Sequence, residues 1–301
     1  MNGRSLIIIV WGLFVLSASS APVYPDVPEA TMNPRLDNAS APLSATDSNR
    51  AVSGRPAVAV PTHPRKFLPM LGDDMAITLT SPGRWNSRHW LWFAGDVAVV
   101  VGTGLLLDEP IDKYIVLHDT PSVNKAFKAV EPFGAEYSFC VIAALYAGGY
   151  FREDDNTVHA ATDALASSLV AAGIITPTLK FAFGRSRPIA DQGAGDFHPF
   201  RGKASFPSGH ATQAFAVGSA IASHYDSIWI DMLSYGLATG VGLARMDHRA
   251  HFASDVVAGA MIGTTVGRSI VGLNNRERGG SNSLSLVMLD DAPCLALCHS
   301  F

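Results

Sequence analysis

Three short polar clusters sit within otherwise apolar, helix-prone sequence. Lys180 and Arg187 lie in the run Lys180-Phe181-Ala182-Phe183-Gly184-Arg185-Ser186-Arg187-Pro188. Ser208, Gly209 and His210 follow Pro207, and Arg245, His251 and Asp255 form the third cluster. Together they offer three cations, a hydroxyl, a glycine amide, two imidazoles and a carboxylate. That inventory suits a site that holds a tetrahedral oxyanion and breaks one of its bonds.

The spacing gives each cluster a local geometry. Lys180 and Arg187 are seven residues apart, so two helical turns bring them to one face, and Pro188 then stops the helix. A guanidinium can grip two phosphate oxygens while the lysine adds a point charge. Pro207 and Ser208 suit a helix entrance, where free N–H groups and the helix dipole favour an anion close to Gly209. His210 then stands beside that anion as a proton donor. Asp255, one turn after His251, can accept from one ring nitrogen and leave the other free as a nucleophile or base. Taken singly, each cluster also fits an ordinary role: a solvated basic helix end, a capped helix start, or a His–Asp pair ligating a metal. Against the metal, the neighbouring Lys180, Arg187 and Arg245 would repel a divalent ion.

The three clusters in order resemble the signature of the type 2 phosphatidic acid phosphatase superfamily, which includes class A acid phosphatases and vanadium haloperoxidases. Its pattern is Lys, six residues, Arg-Pro; then Pro-Ser-Gly-His; then Ser-Arg, five residues, His, three residues, Asp. Here it reads Lys180…Arg187-Pro188, Pro207-Ser208-Gly209-His210 and Ala244-Arg245…His251…Asp255. Ala244 departs from the usual Ser and removes one hydroxyl near the pocket. The phosphatase branch is the nearer match, because the chain is of modest length and pairs His251 with Asp255.

The resemblance implies a metal-independent phosphomonoester hydrolase, with a lipid phosphate or a small soluble ester as substrate. His251, held by Asp255, would attack phosphorus to form a phosphohistidine. His210 would protonate the leaving alkoxide and then activate water. Lys180, Arg187, Ser208, the Gly209 amide and Arg245 would hold the equatorial oxygens. No metal or other cofactor is implied, and vanadate is expected to inhibit. The alternative is a vanadate-dependent haloperoxidase, with vanadate as cofactor on His251.

The elements that must position these residues are helical. Ala, Leu, Val and Gly content without sustained alternation predicts helices near 89–107, 122–130, 135–151, 157–183, 208–225, 228–245 and 252–272, with a kink at Pro177. An amphipathic segment is compatible with 67–88. The fold class expected is all-α, a compact helical bundle of the phosphatase and haloperoxidase kind, spanning 67–275.

Ahead of it, residues 1–20 read as a signal peptide or N-terminal anchor: Arg4, an apolar run from Leu6 to Leu16, then small residues. Residues 21–66, rich in Pro, Ala, Ser and Thr, read as a flexible tether, and 276–301 as a tail. The protein is therefore expected to be exported, to a periplasm or beyond, with anchoring through the N-terminal segment as one route.

Hydrophobic residues make up 48% and charged residues 16%, so the interior is large or a membrane is touched. A net charge of −4 without a basic run argues against nucleic acid. Charge-free stretches such as 137–151 and 164–179 are short of the roughly 20 residues of a span. Asp96, Asp163, Asp231 and Asp255 interrupt the rest. The expectation is a soluble bundle whose helices are buried, with association at a membrane surface still compatible. Cys294 and Cys298 can pair in an oxidising compartment or remain as thiols. His159 and Asp163 read as a helix-stabilising pair. Arg185 and Arg201 read as solvated flanking charges, and Asp247, His248 and Arg249 as a pocket rim.

Overall fold

The structure is a computed structural model that describes residues 67–118 and 120–278, together with the backbone of two later strands. The signal segment and tether expected at 1–66 lie outside the described residues.

The chain forms α1 (Phe67–Thr80), α2 (Ser87–Leu106), α3 (Asp108–His118), α4 (Pro121–Val130), α5 (Glu136–Arg152) and α6 (Asp155–Val170). It continues through α7 (Thr176–Phe183), α8 (Gly209–Ala222), α9 (Ile228–Asp247) and α10 (Ala253–Arg278). A 3-10 turn, Glu131–Gly134, links α4 to α5. Strands β1 (Ser283–Leu289) and β2 (Ala292–Cys298) pair antiparallel after the bundle. The architecture is thus the expected all-α bundle, with this hairpin appended. Cys294 and Cys298 belong to β2, whose side chains lie outside the described residues.

Six of the seven predicted helices form close to their expected bounds. Helix α3 was not expected, and the 157–183 stretch is broken. A π-helical segment, Ala171–Ile175, separates α6 from α7. Pro177 lacks an N–H and crowds the preceding turn, and the wider segment just before it accommodates both. There Thr176 Oγ1 donates to the Ala171 carbonyl at 2.9 Å.

Helices α8 and α10 form the centre. Gly259, Gly263 and Gly267 recur every four residues along α10 and face α8, where a Cβ on Gly263 would lie 2.4 Å from the Thr212 carbonyl. The two backbones therefore touch, as small residues permit. A Cβ on Gly173 or Gly236, by contrast, would meet nothing within 4 Å. Around this seam, Phe215, Val241, Val256 and Ile111 form one apolar cluster. Met70, Val170, Val266 and Ile270 form a second, and Ile142, Val217 and Val271 a third.

The outer surface overturns the expectation of a soluble bundle. Ser87–Leu106, Asp155–Phe183 and Ala253–Arg278 are long and apolar enough to cross a membrane. Leu91, Leu105 and Leu106 on α2 are 73%, 80% and 71% exposed, and Phe151, Trp229 and Leu233 are similarly bare. Apolar surface this extensive, on helices long enough to span, fits a membrane-associated protein. Two of the carboxylates that had counted against spans, Asp163 and Asp255, are instead buried and paired. Asp163 accepts from both Arg278 amino groups at 2.6 and 2.7 Å, from His224 Nε2 at 2.9 Å and from Asn274 at 2.9 Å. His159 was the partner expected for Asp163, but these contacts from α10 and the end of α8 take its place.

Candidate active site

The three polar clusters converge at one end of the bundle, where α7 and α9 end and α8 and α10 begin. Gly184 ends α7 in a left-handed conformation (φ 58°), and a Cβ there would lie 1.8 Å from the His198 carbonyl oxygen. Only glycine fits this exit. Lys180, in the last turn, donates to the Ala204 carbonyl at 2.5 Å. A Cβ built on Gly209 would lie 3.7 Å from Lys180 Cε, so the α8 entrance and the lysine are adjacent. Arg187 is exposed, and its charge, with that of Lys180, bears on His210.

Ser208 caps α8, its hydroxyl accepting from Ala211 N–H at 3.5 Å, while its own N–H donates to the Asp255 carbonyl at 2.9 Å. The side chain is fully buried, so its first task is to start this helix and tie it to α10.

The third cluster is a tight loop between α9 and α10. The Arg245 carbonyl accepts from the N–H groups of Ala250 and His251. Asp255 reaches back one turn to accept from Phe252 N–H at 2.9 Å, capping α10 from within. His251 Nδ1 lies 3.7 Å from Asp255 Oδ2, beyond hydrogen-bond range, and has no hydrogen-bond partner. The expected His–Asp pair is therefore adjacent but not closed. Burial holds the His251 imidazole well below its usual range, at about 4; the charges of Lys180 and Arg245 push the same way and Asp255 opposes them. The ring is neutral near physiological pH, as a nucleophile requires.

Several partners were invisible in the sequence. Glu131, on the turn before α5, forms an ion pair with Arg245 and another with His248 Nδ1 at 2.7 Å. Arg185 is buried rather than solvated. It bridges Asp108, at the start of α3, to Asp255, with 2.6 Å contacts to each. Ser205 Oγ donates to Asp255 Oδ2 at 2.6 Å. Arg249, read as a rim residue, staples α3 to the exit of the first cluster through Asp112 (2.9 Å) and Asp191 (2.7 Å). Ala244, where the family usually carries Ser, is fully buried.

Comparison with known proteins agrees with the motif resemblance. A model described as "PAP2 superfamily" matches residues 161–278. The chain is similar to lipid phosphate phosphatase 2 of Arabidopsis thaliana, at 31% identity over 61% of this chain and 75% of that protein. It is also similar to lipid A 1-phosphatase of Porphyromonas gingivalis, at 36% identity over 35% of this chain but only 22% of that protein. Among solved structures it is similar to a transmembrane PAP2-type phosphatidylglycerolphosphate phosphatase from Bacillus subtilis. There the identity is 22%, the coverage 61% of this chain and 94% of that one, and the TM-score 0.47. The chain belongs to the PAP2 superfamily, and it is a phosphatase. The haloperoxidase alternative is not favoured.

Proposed function

We propose that the protein hydrolyses a lipid phosphomonoester at the membrane, without a metal, through a phosphohistidine on His251. The observation that carries this reading is the neutral, buried His251 flanked by Asp255 on its Nδ1 side, with Lys180 and Arg245 near enough to act on its charge.

Nδ1 faces the carboxylate, which leaves Nε2 to attack phosphorus. As the N–P bond forms, the P–O bond breaks, and its electron pair leaves on the alkoxide, which takes a proton from His210. Water then attacks phosphorus, His210 takes its proton, the P–N bond breaks and phosphate departs. Lys180, Arg187, Arg245 and the Gly209 amide hold the equatorial oxygens, with Ser208 fixing the helix entrance that presents that amide. Fixed donors of this kind contribute roughly 2.7–4 kcal/mol each. The cations neutralise the phosphoryl group, and they disfavour a divalent ion by repulsion.

Two features support a lipid over a soluble ester. Phe181 (56% exposed) and Phe200 (66%) stack edge-on beside the first cluster, with Phe183 against Phe206 nearby. Such a rim suits acyl chains next to a phosphate site. The two relatives are also named for lipid phosphates. An N-terminal export signal would place the site on the outer side of a cell membrane.

The test is phosphate release from phosphatidic acid in mixed micelles, with chelator, beside a soluble aryl phosphate. Turnover should survive chelation, favour the lipid, stop with vanadate and vanish in His251→Ala. Loss of activity in chelator, or retention in His251→Ala, would overturn the mechanism. Preference for the soluble ester would overturn the substrate class.

A further inference from the structure

Arg185 lies within the first cluster, but its guanidinium is held by buried carboxylates of α3 and α10. Its side chain is 4% exposed. Nη1 donates to Asp255 Oδ1 at 2.6 Å and to Ser254 Oγ at 2.7 Å. Nη2 donates to Asp108 Oδ2 at 2.6 Å, and Nε and Nη2 both donate to the Ala194 carbonyl. The guanidinium also lies 4.4 Å from the centre of the Phe252 ring. Asp108 is fully buried and does more than pair with it. It accepts from Ser254 N–H at 2.8 Å and from Ser254 Oγ at 2.5 Å, capping the first turn of α10 from a different helix.

Asp255 is thereby held on both oxygens. Oδ1 takes Arg185, and Oδ2 takes Ser205 Oγ and Phe252 N–H. Because His251 Nδ1 makes no hydrogen bond, the position of Asp255 behind the ring is set by these other groups. The charges are also informative. Asp108 and Asp255 with Arg185 leave one net negative charge beside a histidine that, on bonding to phosphorus, becomes cationic.

We infer that Asp108 and Arg185 are positioning residues for the hydrolysis. They fix Asp255 behind His251 and keep the buried set one charge negative, so that the phosphohistidine cation forms with a counter-charge in place. The inference rests on His251 being the nucleophile. Arginine is required because its planar fork reaches both carboxylates at once, which a lysine point charge cannot do.

The test compares Asp108→Asn, Arg185→Lys, Ser254→Ala and His251→Ala in the full chain in detergent. It reads kcat, KM, the melting temperature and the amount of phosphoenzyme trapped on mixing. Asp108→Asn and Arg185→Lys should each lower kcat roughly 10–100-fold, as when supporting partners of an oriented histidine are lost. KM should stay within about twofold, since only a step after binding is affected, and phosphoenzyme formation should slow in proportion. Ser254→Ala removes one hydroxyl from the bridge and should lower kcat by a few-fold while staying folded. The inference fails if Arg185→Lys turns over normally, if KM rises as much as kcat falls, or if losses only track unfolded protein. Should the other variants fail to fold, an unchanged kcat in Ser254→Ala overturns it. An active His251→Ala would instead sink the nucleophile assignment, whereas a dead His251→Ala beside a normal Asp108→Asn removes the positioning role alone.

Discussion

Arg245 shows how far single residues could be read from the sequence. Its place in the third motif marked it as a phosphate ligand, but nothing nearby announced that Glu131 holds its guanidinium. In the proposed mechanism, that carboxylate competes with the substrate phosphate for the same cation. Glu131→Gln should therefore lower KM by about fivefold, the effect of releasing a partly exposed ion pair of about 1 kcal/mol. A steady-state titration with substrate checks this, and an unchanged or raised KM would show that Glu131 does not compete. The motifs picked out candidate site residues from local spacing, and the structure brings those clusters to one end of the bundle. Arg185 was misread for the opposite reason. Its partners Asp108 and Asp255 lie 77 and 70 residues away, and a buried arginine cannot be told from a solvated one without them.

At the scale of elements, helix positions followed from composition, but the contacts between helices did not. Glycines are spread through the sequence, yet among the described residues Gly259, Gly263 and Gly267 are the ones of α10 that meet α8 backbone. Which glycine matters depends on the face a neighbour covers. Gly263→Ala should destabilise the protein by about 1–3 kcal/mol, because the added methyl meets backbone that has no room to shift. Gly173→Ala, with nothing within 4 Å, should be neutral or slightly stabilising. Melting in detergent compares the two, and equal melting temperatures would mean that the seam is not closely packed. Helix α3 was missed because its sequence, Asp108-Glu109-Pro110, begins like a break. Pro is nonetheless tolerated in a first helical turn.

For the whole molecule, the sequence led to the wrong solvent. Scattered aspartates seemed to forbid membrane spans, since a lone carboxylate in a bilayer costs roughly 2.5–3.5 kcal/mol. The structure turns Asp163 and Asp255 inward against Arg278 and Arg185, while leucine and aromatic side chains cover the outside. A linear reading counts charges but cannot see which way they face. The protein should sediment with membranes, resist extraction by high salt and come away only with detergent. Recovery of the chain in the aqueous supernatant would refute the lipid-facing surface.

A covalent phosphoenzyme is the sharpest test of His251 as the nucleophile. Alkaline quenching of enzyme mixed with a radiolabelled lipid phosphate, followed by peptide mapping, should place an acid-labile phosphoryl group on the peptide containing His251. The label should be absent from His251→Ala. Steady turnover without any trapped covalent label, or a label on His210, would contradict the mechanism.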